Sequence, residues 1–144
     1  MDSPDLARRL PAGAGPRTLA YALVRICLGL NIFLHGAARV PHLDVFLAKL
    51  QKQFAPTFLP VGLVEATGYV IVGGEAVIGL LVLIGWGLRW ALVAGICLML
   101  LLQFGTGLVQ DWSAAGQQLI YVAFYAVLLA TIEYDRGSVD SWRR

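Results

Sequence analysis

The sequence predicts an all-α integral membrane protein, a four-helix bundle with a short amphipathic interfacial helix between its first and second spans. Three observations carry this. Hydrophobic side chains make up 58% of the 144 residues and charged ones 14%, with a mean hydropathy of +0.72, too apolar for an ordinary soluble domain. Four long apolar stretches fill most of the chain, each near the roughly 20 residues that cross about 30 Å of hydrocarbon. The net charge is only +2, and the basic residues sit at the ends of those stretches, which argues for lipid and against nucleic acid as the partner.

A polar tail, 1–17, holds Pro4, Arg8, Arg9, Pro11, Pro16 and Arg17. The first span, 18–38, reads as a retained helix. A secretory signal has a short apolar core and a small-residue cleavage site, whereas this stretch runs on to Ala38 and contains Arg25, Asn31 and His35. Arg39 and Pro41 end it, because proline lacks the backbone donor that a continuing helix needs. In 42–54, Leu43, Phe46, Leu47, Leu50 and Phe54 recur at three- and four-residue spacing among Asp44, Lys49, Gln51, Lys52 and Gln53. That pattern predicts an amphipathic helix lying on the membrane surface or capping the bundle.

Pro56 and Pro60 bound the next turn, and the second span covers 61–84. The turn Gly85-Trp86-Gly87 is so short that the third span, 88–109, must run antiparallel beside it. Asp111 and Trp112 mark the far interface, the fourth span covers 114–133, and 135–144 forms a second polar tail. The transmembrane domain is thus expected over 18–134. Frequent glycines, Gly29, Gly36, Gly68, Gly74, Gly79 and Gly95, point to close helix packing, since small residues let backbones approach where the hydrophobic effect cannot drive association.

Charge predicts orientation. Arg8, Arg9, Arg17, Arg89, Arg136, Arg143 and Arg144 share the side of the termini, and Arg39, Lys49 and Lys52 the other, so both termini are expected in the cytoplasm. Cys27 and Cys97 stand singly in apolar stretches, with no C-x-x-C and no loop cysteine, and read as packing residues.

A charge at the bilayer centre costs at least about 2.5–3.5 kcal/mol, so buried ionisable groups usually face one another or a wet cavity. By helix rise, Arg25 and Glu75 fall about 10 and 15 Å from the terminal side, and His35 and Glu65 about 25 and 30 Å, so each pair is within reach. Asn31 shares a helix face with His35, and Gln103, Thr106, Gln117 and Gln118 approach similar depth. Two readings fit. In one, Arg25 and Glu75 are a register-fixing ion pair and the amides are interhelical glue. In the other, the group lines a cavity in which His35, Glu65 and Glu75 exchange protons and Arg25, Asn31 and Gln103 contact a ligand. No third and fourth ligands accompany a His-Glu pair, so no metal site is expected.

The order of these landmarks resembles the DoxX family of small four-helix bacterial membrane proteins, related to the DoxD subunit of thiosulfate:quinone oxidoreductase. The residues that carry it are Arg25, His35-Gly36 and Arg39, then Glu75, Gly79, Gly85 and Arg89, and the closing Asp135-Arg136-Gly137-Ser138-Val139-Asp140. Gln117 and Gln118 stand where members of that family often carry an acidic residue. The resemblance implies a bacterial cytoplasmic-membrane protein associated with respiratory or sulfur redox chemistry, with quinone as a diffusible redox partner. No flavin, haem or iron–sulfur motif is present, so the electron donor would be a thiol, a sulfur compound or a partner subunit. Two other classes compete: a non-catalytic accessory subunit of a larger membrane complex, and a small multidrug-type transporter. The transporter reading ranks last, because such proteins resemble one another in carrying an acid in the first helix, where this chain has Arg25.

Overall fold

The computed structural model of the chain describes residues 15–143. The basic tail residues Arg8, Arg9 and Arg144 lie outside them. Helix α1 (Pro16–Ala37) begins with proline at its first position, where the missing N–H is not needed. A 3-10 turn (Val40–His42) leads into the amphipathic α2 (Leu43–Phe54). Three further long helices follow, α3 (Val61–Ile84), α4 (Leu88–Leu108) and α5 (Trp112–Ala130). A second 3-10 turn (Ile132–Tyr134) then brings in the one-turn α6 (Val139–Trp142). Among the described residues, α1, α3, α4 and α5 are long and apolar enough to cross a membrane, and the chain is a multi-pass membrane protein.

The surface is built for lipid. Leu23, Val70, Val77, Leu100 and Phe104 project outward from the bundle. Exposed Trp86, Trp90 and Trp142 ring the end where the described termini meet, and Trp112 marks the other, as amphipathic indoles do at membrane interfaces.

The tightest crossing joins α1 to α3. A Cβ added at Gly29 would collide with the backbone of Leu83, one at Gly36 with that of Ala76, and one at Gly79 with that of Phe33. The two helices therefore touch main chain to main chain. On the other side of the bundle, Gly95 of α4 leaves room for the ring of Tyr125, which is fully buried. Gly68 of α3 seats Leu47 and so docks α2 against the bundle, while Gly74 meets only Leu98 at ordinary contact distance.

The Gly29–Leu83 and Gly36–Ala76 contacts also fix register. Seven residues along α1 correspond to seven along α3 in the opposite direction, so Arg25 lies level with the turn after α3 and Glu75 lies level with Ala37, between His35 and Arg39. The N-terminal turns of α1, before Leu28, project past the end of α3, and the segment after α5 packs against them, with Arg17 donating to the Tyr134 hydroxyl at 3.2 Å. Residues 135–143 thus fold back onto the bundle instead of trailing away as a free polar tail, Asp135 and Ser138 being buried.

Candidate functional site

Two polar clusters occupy opposite ends of the bundle. The first centres on Arg25, which does not meet Glu75 as depth alone allowed. Its guanidinium donates to the carbonyls of Val82 (2.9 Å), Leu83 (2.7 Å) and Gly137 (3.1 Å) and faces the Asp135 carboxylate at 4.0 Å. Val82 and Leu83 belong to the last turn of α3, whose carbonyls have no partner within the helix. Arg25 therefore caps α3 and meets the negative end of its dipole.

The following helix start is held in the same way. Asp140 accepts from the backbone N–H of Gly87 (3.0 Å) and Leu88 (2.8 Å), capping α4, and its own N–H donates to the Gly85 carbonyl at 3.0 Å. Gly85, at φ 71°, lies directly under Ser138 and Arg25, where a side chain would strain the backbone and collide. Ser138 donates to Asp135. The closing motif is a clasp on the α3–α4 turn, and Arg25 is consumed by it.

The second cluster lines a cavity of about 410 Å³ in the half of the bundle away from the termini. Its apolar walls include Ile32, Ile71, Met99 and Phe104, α2 covers it with Phe46, Leu50 and Phe54, and its polar lining includes His35, Arg39, Thr67, Glu75, Asp111, Gln118 and Tyr121. Glu75, its side chain only 6% exposed, is ion-paired with Arg39, whose side chain is 32% exposed. The Arg39 guanidinium also lies 5.0 Å from the centroid of the Phe46 ring, tying the covering helix to the pair.

His35 stands at the edge, exposed on the outer side of α1 while lining the cavity. Its Nδ1 is 3.0 Å from the Asn31 carbonyl. A carbonyl only accepts, so Nδ1 carries a hydrogen, and in the Nδ1–H tautomer Nε2 is left as an acceptor. Tyr121 of α5 meets the His35 ring edge to face, with centroids 6.3 Å apart, and donates to Asn31 Oδ1 at 3.0 Å. These residues form a polar seam between α1 and α5, at which His35 both lines the cavity and is exposed on the surface of the bundle. Deeper along the wall, the Thr106 hydroxyl donates to Gln118 Oε1 at 3.0 Å, linking α4 to α5.

The sequence-derived site residues divide accordingly. His35 and Glu75 come together in the cavity, with Asn31 behind the seam. Glu65 does not join His35, because its neighbour is Gln51 of α2 at 3.5 Å and it is absent from the lining. Gln103 is also absent from the lining, its Oε1 buried without a partner. Arg25 sits at the other end of the bundle. Arg39 and Tyr121 were missed as site residues, although an arginine four positions after His35 shares its helix face, because the backbone stays helical through Ala38 and Arg39. Among the described residues no group of three His, Cys, Asp or Glu side chains could hold a metal ion, and Cys27 and Cys97 are free and exposed.

Comparison with known proteins bears on this arrangement. The family described as Methylamine utilisation protein MauE matches residues 17–118. The chain belongs to the MauE family. The match takes in α1 through the first turns of α5, and so includes His35, Arg39, Glu75 and Gln118 but not the clasp residues Asp135–Asp140. The resemblance to DoxX proteins therefore resolves to membership of a different family of small membrane proteins. No curated protein and no solved structure matches the chain.

Proposed function

We propose that this MauE-family protein is a membrane-embedded accessory component of a redox system, in a bacterial inner membrane with both termini cytoplasmic, and that its cavity takes a quinone-type ring from the bilayer. The observation that carries the reading is His35, which lines a largely apolar cavity and is at the same time exposed on the outer surface of the bundle. A lipophilic ring enters such a space without crossing water. A volume of about 410 Å³ is in the range of small-molecule pockets, which combine apolar walls with a few placed polar groups.

Among the described residues, the one ion pair in the cavity is internal to the protein. Glu75 is neutralised by Arg39, and the cavity's other carboxylate, Asp111, accepts the Ala114 N–H at 3.0 Å as the cap of α5. Arg39 and the Gln118 amide remain able to donate to ring oxygens, and the DoxX-like motifs support the same redox association from the sequence side. A purely structural accessory role is the second reading, favoured by the clasp, which gives Arg25, Asp135 and Asp140 positions that need no ligand.

A photoreactive short-chain benzoquinone added to the full-length protein in nanodiscs tests the proposal. Adducts on α1, α2 and α5 at cavity-lining residues, suppressed by excess unlabelled quinone, are expected. Labelling spread evenly over the lipid-facing residues, with no competition, would leave the structural reading.

A further inference from the structure

The ligand's redox form is legible in the tautomer of one side chain. His35, in the last turn of α1, and Arg39, just past its end, stand four residues apart and both line the cavity. The Nδ1 hydrogen of His35 is committed to the Asn31 carbonyl at 3.0 Å, and the ring is held edge to face by Tyr121, whose own hydroxyl hydrogen goes to Asn31 Oδ1. The polar atom left to His35 is Nε2, which in the Nδ1–H tautomer is an acceptor. Arg39 offers N–H donors not used by Glu75. The same cavity wall therefore offers both an acceptor and a donor, four residues apart in the chain.

A ring hydroxyl answers both at once, donating its hydrogen to Nε2 while its oxygen accepts from the guanidinium. A ring carbonyl answers only Arg39 and sets its lone pairs against that of Nε2. In hydrocarbon, where a hydroxyl has no hydrogen-bonding partner at all, the difference is larger than in water. The geometry points to a cavity that favours the reduced, hydroxyl-bearing form of its ring ligand, a hydroquinone, over the oxidised quinone, with His35 as the residue that discriminates. This rests on the proposed quinone-type ligand and adds its redox state.

The test is anaerobic titration of the full-length protein in nanodiscs with an alkyl hydroquinone, the matching alkyl benzoquinone and the dimethyl ether of the same hydroquinone, with empty nanodiscs as the partition control. The hydroquinone is expected to bind about ten-fold more tightly than either, the discrimination of roughly one well-placed hydrogen bond. In His35→Phe, which keeps an aromatic ring against Tyr121, that preference is expected to vanish while benzoquinone binding persists. Should this variant not fold, the wild-type contrast between hydroquinone and its dimethyl ether still decides the matter. Saturable binding of all three probes with equal affinity would overturn the preference and leave the quinone site standing. No saturable binding of any would overturn the site itself.

Discussion

Arg39, just past the end of α1, closes an ion pair with Glu75, 36 residues later and well inside α3. This pair sets the character of the cavity: it places a carboxylate and a guanidinium among apolar walls, cancels their charge, and through the stacking of Arg39 on Phe46 connects the site to the helix that covers it.

The pair predicts an asymmetry. Arg39→Met strands Glu75, which is almost fully enclosed, and is expected to cost about 3–5 kcal/mol. Glu75→Leu leaves an arginine already one-third exposed that can turn toward the cavity mouth, and is expected to cost less, about 1–3 kcal/mol. The double variant should recover most of the loss. Equilibrium unfolding in detergent of the three variants measures this, and equal losses in the two single variants would contradict the geometry.

Arg25 belongs to stability and not to ligand binding. Arg25→Ala leaves the last carbonyls of α3 and the Asp135 carboxylate without their partner, and about 3–5 kcal/mol should be lost. Arg25→Lys should rescue little, because a single ammonium cannot reproduce the fork that reaches three carbonyls. At temperatures where either variant is still folded, ligand affinity at the cavity should equal that of the wild type.

The cap on α4 is a smaller effect. Asp140→Ala removes the acceptor for the Gly87 and Leu88 N–H groups and should cost about 1 kcal/mol, lowering Tm by a few degrees.

Glycine replacements should separate backbone contact from open surface. Gly79→Ala and Gly36→Ala force α1 and α3 apart and should cost about 1–3 kcal/mol or more. Gly73→Ala meets nothing within 4 Å and should be neutral or stabilise by about 0.4–1 kcal/mol. Thermal unfolding of the three variants in one detergent gives the comparison.

The spans, the short turn at Gly85-Trp86-Gly87 and the amphipathic segment were legible in the sequence because each rests on local signals: apolar run length, glycine and proline positions, and three- and four-residue periodicity. The close approach at Gly29, Gly36, Gly68, Gly79 and Gly95 was legible for the same reason. Pairing among the buried charges was not. Helix rise gives height only if the helix ends lie level, and α1 begins about three turns below the level at which α3 stops, so the level of Arg25 was misjudged and its true neighbours are the α3 carbonyls and Asp135. Height also says nothing about rotation, which is why Glu65 turns to Gln51 and not to His35. The clasp formed by Asp135, Ser138 and Asp140 appeared in the sequence only as a motif, since its function depends on the chain returning to a turn some 50 residues earlier.

The most direct measurement is a calorimetric titration of a short-chain alkyl benzoquinone into the full-length protein in nanodiscs, wild type against Thr67→Trp, whose added bulk fills the cavity from α3. Saturable one-to-one binding by the wild type, lost in the blocked variant while its unfolding temperature is retained, is the predicted result. Heats that match empty nanodiscs in both proteins would contradict the claim that this cavity takes a quinone-type ring from the bilayer.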